Sequence, residues 1–291
     1  MGIRTDLAVE ARELWKSRAG KVTELPGVRA RETSRRGMVT TLVEVLNEQG
    51  AQALGKPVGR YLTLELPRGM LRSSQGFMRA ARQLGRAMAS MVPEKGAVLV
   101  AGLGNSAITP DALGPMSLEH LVVTRHLRKG FPQLRAVSAI APGVLGTTGL
   151  ESVEVVRGIV ERAQPKCVVV VDALAARRLE RVCTTVQLAD TGLAPGSGVR
   201  NGRAAFTPET LGVPVIALGV PTVVDAATLL EDTVLSCGGT VGHAPLCDPS
   251  MVVSPKDINA RVGRMARLVG FGLSLGLHSS LTMEDISCLV G

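Results

Sequence analysis

A chain of 291 residues can bury a large core, and its five scattered cysteines, odd in number, argue against a disulfide framework. No apolar run reaches membrane-spanning length, and the first six residues lack the apolar region of a secretory signal. The formal charge of +8 is spread along the chain, with one cluster at Arg29, Arg31, Arg35 and Arg36, and aromatics for base stacking are scarce at 2 %. The charge therefore reads as a solvated basic surface, with no direct nucleic-acid binding expected.

Taken in order, residues 6–16 read as a short helix with Leu7, Leu14 and Trp15 near one side. Residues 18–36 are polar, Arg-rich and broken by Pro26-Gly27, which predicts a loop. Residues 38–46 are rich in β-branched side chains and read as a strand, 47–59 as a turn-rich connection, and 61–66 as a second strand closed by Pro67. Phe77, Met78, Ala81, Leu84, Met88 and Met91 recur at helical spacing, which predicts a helix over 74–91.

The middle of the chain alternates strand and helix. Buried strands are predicted near 98–103, 136–140, 167–171, 184–188 and 214–218, the clearest being Cys167-Val-Val-Val-Val171. Helices are expected over 117–128, through Val153–Val160 with Thr148 as cap, over 175–181, and from Asp225 to about Leu235. Ser254-Pro-Lys-Asp257 looks like a helix start, with Ser as cap and Pro at the first helical position. That helix runs toward Leu277, and the tail carries no clear pattern.

This alternation predicts an α/β fold: a three-layer, mostly parallel sheet flanked by helices. Residues 1–92 read as a smaller β-containing elaboration. Residues 93–291 read as the core.

Two carboxylates stand out. Asp111 follows the 98–103 strand through a loop containing Gly102, Gly104 and Asn105, and Asp172 ends the 167–171 strand. If those strands are parallel, both acids lie on one sheet edge, where open α/β sheets bind ligands. Two carboxylates in one cleft push their pKa values apart, so one activates water while the other donates a proton.

Other candidates are weaker. Gly102-x-Gly104 lacks the third glycine and helix start of a dinucleotide fingerprint. Asp190-Thr-Gly192 is a single copy of the pepsin-like signature, in an α/β context. Asp190 and Gly192 remain cleft-lining or oxyanion-loop candidates beside Gly104 and Asn105. Cys237, His243, Cys247 and Asp248 match no usual zinc spacing. His120, His126 and Cys183 lack an evident partner, and no metal or other cofactor is expected.

At these residues the chain resembles the germination proteases of spore-forming bacteria. The shared stretches are Ile3-Arg-Thr-Asp-Leu-Ala-Val-Glu10, Gly55-Lys-Pro-Val-Gly59 and Gly102-Leu-Gly-Asn105 with Thr109-Pro-Asp-Ala-Leu-Gly-Pro115. Thr124-Arg-His126, Ser138-Ala-Ile-Ala-Pro-Gly143, Val171-Asp-Ala-Leu-Ala-Ala176 and Asp190-Thr-Gly192 with Pro195-Gly-Ser-Gly198 follow. Gly219-Val-Pro-Thr-Val-Val-Asp225 and Val253-Ser-Pro-Lys-Asp-Ile258 complete the set.

The resemblance implies an atypical aspartic endopeptidase with a fold similar to hydrogenase maturation proteases. It places the essential aspartates on Asp111 and Asp172. It implies small acid-soluble spore proteins as substrates, zymogen control, a homotetramer, and a cytoplasmic site in the spore core or forespore. Only Met1 and Gly2 precede the first shared stretch, so the expectation is a short or missing propeptide, or a start that is not that of the primary product. The alternatives are a processing protease for another protein, metal-dependent or aspartate-based, and a non-catalytic spore-protein-binding module.

Overall fold

The computed structural model describes residues 5–19, 25–195, 204–241, 247–248 and 250–290. The centre of the sheet is parallel. Strands β4 (Val98–Gly102), β5 (Val137–Ile140), β6 (Cys167–Ala176) and β8 (Val215–Asp225) run together in the order β8-β6-β4-β5. Every residue of β4 and β8 is buried, which explains their near-continuous apolar sequences.

Alternate side chains feed two cores. Val98, Val100, Val169, Val171 and Leu218 meet helices α3 (Ser74–Ala89) and α9 (Ile258–Leu277) on one face. Leu99, Ala101, Val168, Val170 and Val215 meet α6 (Ser152–Ala163) and α7 (Pro208–Leu211) on the other. The chain is thus a three-layer α/β protein, as its alternation predicts.

Strand β7 (Thr185–Ala189) pairs antiparallel with β8. Residues 177–184 link it to β6, too few for the crossover of a dozen or more that a parallel neighbour requires. The N-terminal strands continue the same sheet. β3 (Gly59–Glu65) pairs with β7, β2 (Met38–Val45) with β3, and β1 (Val28–Arg35) with β2, all antiparallel. The sheet is therefore mixed, in the order β1-β2-β3-β7-β8-β6-β4-β5, with β9 (Val252–Val253) on β8. Helices α1 (Ala8–Ala19) and α2 (Glu48–Leu54) cover Val43, Val45, Tyr61, Ala189 and Ala217. Ala217 pairs with Val170, so this is the same sheet face that α6 and α7 cover further along.

Several local expectations are corrected. Residues 28–35 form β1 rather than loop: an exposed edge strand needs no apolar face, so its pattern hides it. Residues 48–54 form α2, capped by the Asn47 side chain on Gly50 N–H and closed by left-handed Gly55. The 117–128 helix is absent. Its place is taken by α4 (Leu113–Leu118), after which Val122 N–H donates to Ser274 Oγ of α9 and Thr124 N–H to Val137 O. The cap of α6 is Glu151, in a reciprocal box with Glu154, not Thr148, and the cap of α9 is Asp257, not Ser254.

Residues 175–176 belong to β6, and only a 3-10 turn follows at Leu179–Arg181. Strand β8 runs on through Pro221 because a bulge lies there: Leu174 pairs with Pro221 and Ala175 with Val223. The short α5 (Leu145–Thr148), α8 (Ala226–Ser236) and α10 (Met283–Val290) complete the chain. Among the described residues, no helix is long and apolar enough to cross a membrane.

Candidate active site

Asp111 is delivered by the connection between β4 and α4. Leu103 N–H extends the ladder by donating to Val171 O at 2.8 Å. The chain then turns at Gly104, with φ of 109°, and closes a small loop on itself. Asn105 N–H donates to Asp111 Oδ2 at 2.7 Å, and Asp111 N–H donates to Ile108 O at 2.8 Å. A Cβ at Gly104 would stand 1.9 Å from Asp111 O, so only glycine lets the two backbones touch. At the start of α4, Gly114 lies close to Leu103 and to Val171 O, pinning the whole loop against β6.

Asp172 is the residue after Val171. It lies within β6 rather than at its end, paired with Gly219, because β8 keeps supplying partners beyond it. The residue is 5 % exposed, and its carboxylate accepts from Ala173 N–H at 2.9 Å. Across the sheet the register runs Asp172, Gly219, Gln187, so these residues share a row and a face. Gly219 has no side chain, and the Leu174 side chain packs over it, where a Cβ would stand 2.3 Å from Leu174 Cδ1.

Above that floor lies one cavity of about 1280 Å³. Asp111 and Asp172 both line it, as do Gly104 and Gly192. The structure thus brings together the two acids picked from the sequence. Asn105 and Asp190 are not part of the lining. The amides of Leu103 and Asn105 in this loop are already engaged.

Asp190 instead ties two elements together, accepting from Arg60 N–H and Nε–H, each at 2.7 Å. Gly192, with φ of 72°, presses against Phe206 O, and Leu193 N–H donates to that same oxygen. The remainder of the glycine-rich loop, 196–198, lies outside the described residues.

Sequence reasoning gave no role to four other lining residues: Asp6, Trp15, Lys56 and Gln187. Asp6 N–H donates to Ala175 O, and Ala175 N–H donates to Asp6 Oδ2 at 2.9 Å, three residues beyond Asp172. Lys56 Nζ donates to Asp6 O at 2.9 Å. Burial pushes its ammonium down in pKa, against the pull of Asp6 and Glu10. Gln187 accepts from Ala8 N–H at 2.7 Å and donates to Asp6 O at 3.2 Å. Asp6 and Lys56 stand inside the shared stretches, which was the available signal. Gln187 and Trp15 carried none.

The other candidates are dispersed. Cys183 is buried, and burial pushes its thiol up to about 12, the opposite of an activated nucleophile. His120 is half-buried, and burial lowers its pKa. His126 sits in the 3-10 turn Arg125–Leu127. Asp248 accepts from Ser250 N–H and Oγ–H, and His243 lies outside the described residues. Among the described residues, no group of three or more His, Cys, Asp or Glu side chains is placed to hold a metal ion.

Residues 8–244 match the family described as Germination protease. The chain belongs to the germination protease family. It is 42 % identical to the germination protease of Caldanaerobacter subterraneus subsp. tengcongensis, over 100 % of this chain and 98 % of that one. Identity is 45 % to that of Bacillus cytotoxicus, over 97 % and 95 %, and 39 % to that of Clostridium perfringens, over 98 % of each. A [NiFe] hydrogenase maturation protease, HycI from Thermococcus kodakarensis KOD1, aligns at 18 % identity and a TM-score of 0.36, over 64 % of this chain and 98 % of that one. Membership makes this germination protease homologue a peptide-bond hydrolase, and its activity must be sought in a cleft able to hold a peptide.

Proposed function

We propose that this chain is an endopeptidase that cleaves small acid-soluble spore proteins during germination, with Asp111 and Asp172 as its catalytic pair. The observation that carries the reading is the lining of one cavity by both carboxylates, from the β4–α4 connection and from β6. In the reaction, the ionised carboxylate takes a proton from water as its oxygen attacks the scissile carbonyl. The protonated partner gives its proton to the departing amide nitrogen, and the C–N bond breaks. The two acids act as a coupled pair and exchange roles with each turnover. The Gly104 N–H, beside Asp111, and the Gly192 loop are the candidate oxyanion donors.

The protein works as a homotetramer in the cytoplasm of the spore core or forespore, with residues 1–92 an elaboration on the catalytic core of 93–291. Light scattering at micromolar concentration should give the tetramer mass, and monomer mass alone overturns that assembly. Intact-mass analysis after incubation with a small acid-soluble spore protein tests the activity. Defined fragments are expected from the wild type. Asp111→Asn and Asp172→Asn, each folded, should lose roughly 100-fold or more in turnover, the size expected for a positioned acid or base. Unchanged substrate mass with wild-type protein, or near-normal cleavage by either variant, overturns the reading.

A further inference from the structure

We propose that Trp15 is the specificity-determining residue of the cleft: its indole is the wall against which a large apolar side chain of the peptide substrate packs. The inference rests on the reading of Asp111 and Asp172 as the catalytic pair. The cavity, at about 1280 Å³, exceeds the roughly 300–1,000 Å³ of a small-molecule pocket and has room for an extended peptide segment. Beyond the aspartates, its walls are largely apolar: Ile108 and Leu193 from the loops, Ala11, Leu14 and Trp15 from α1. Ile108 is more than half exposed in the unliganded protein, so a bound chain would find it uncovered.

Among the described residues, the single cation of the lining is Lys56, and its ammonium is already donating to Thr5 O and Asp6 O. Ala11, Leu14 and Trp15 together offer contact area to an apolar substrate side chain. Trp15 packs against the cluster of Ala8, Val45 and Tyr61, is half-buried, and lines the cavity. Its helix is held firmly. Gln187 caps the Ala8 N–H, and Arg181 binds Glu13 at 2.7 Å and Glu10 at 3.3 Å. A rigid aromatic presented by an anchored helix gives contact area at little entropic cost.

Trp15 is the chain's single tryptophan, so its emission reports this wall alone. The cut in a small acid-soluble spore protein is first mapped by mass. Two short peptides spanning it are then compared: the natural sequence, and one in which the large apolar residue nearest the cut is Ala. Wild type should prefer the natural peptide by about tenfold or more in kcat/KM, the size a hydrophobic pocket supports. Trp15→Ala should bring that ratio close to one, chiefly through KM, and Trp15→Phe should keep most of it. A merely structural role would depress both peptides equally, and that result overturns the inference. In Asp111→Asn, the natural peptide should shift Trp15 emission saturably, and the Ala peptide should need about tenfold more. No shift in an inactive, folded Asp111→Asn protein overturns the role of Trp15. Persisting cleavage in that variant overturns the catalytic pair instead. The emission assay decides even where Trp15→Ala fails to fold.

Discussion

At position 104 the backbone leaves space for hydrogen and nothing larger. A Gly104→Ala side chain would be strained at φ of 109° and would press on Asp111 O. Strain of this kind is of order 1–3 kcal/mol, and relief requires the loop that aims Asp111 to shift. The expected outcome is a stability loss of that size with at least a tenfold fall in turnover, read by melting and by fragment formation on the same sample. Asp190→Asn makes the contrast. It weakens a partly exposed bridge to Arg60, worth about 0.2–1 kcal/mol, and turnover should stay within a few-fold of wild type. A hundredfold loss there would return Asp190 to the chemistry. The sequence exposed Asp111 and Asp172 because each follows an unmistakable apolar strand. It did not expose what Asp190 holds, since its partner, Arg60, comes from a distant strand.

Among the elements, α1 is the one held in place by charge as much as by packing. Arg181, almost fully buried, binds Glu13 at 2.7 Å, Glu65 at 2.8 Å and Glu10 at 3.3 Å. Glu10 is fully buried and also accepts from the N–H groups of Arg177 and Arg178. Arg181→Met should destabilise the protein by about 3 kcal/mol, because it strands the buried Glu10 carboxylate, with part-buried Glu13 and Glu65, without their cation. Hydrogen exchange should rise first along α1, and an unchanged melting temperature would refute the clamp. No residue pattern near 8–19 announced this clamp, since its parts lie in α1, β3 and the turn after β6. The parallel strands were legible for the opposite reason: a strand buried on both faces needs little beyond its own apolar run. β1 and α2 escaped because one is a polar edge strand and the other a single short helix. The strand expected near 214–218 runs on to Asp225, since a bulge accommodates Pro221.

On the scale of the whole molecule, His278 and Glu13 show how the fold responds to acid. His278 closes α9 and is 2 % exposed. Its Nε2 lies 3.2 Å from Val122 O, and its Nδ1 is buried with no hydrogen-bond partner among the described residues. The neutral ring donates from Nε2. Charging it would bury an extra proton on Nδ1, so burial, the largest effect, outweighs the opposing Val122 bond and, with a smaller repulsion from Arg135, lowers its pKa below 6.5. The unfolded chain therefore binds this proton before the native one does, and stability falls as pH drops below about 6.5. Glu13 acts at lower pH. Burial raises its pKa, but Arg181, Arg178 and Arg177 together outweigh that and hold it below 4.5. Its contribution is complete above about 4.5 and fades as pH falls further. Urea unfolding at a series of pH values should thus show two descending stages. His278→Gln keeps a donor for Val122 O and carries no titratable group, so it should lessen the fall that begins below about pH 6.5, His120 keeping a share of it, and leave the lower stage intact. A wild-type curve that is level across that upper range, or a variant that keeps its slope, would show that the buried imidazole does not govern the protein's response to acid.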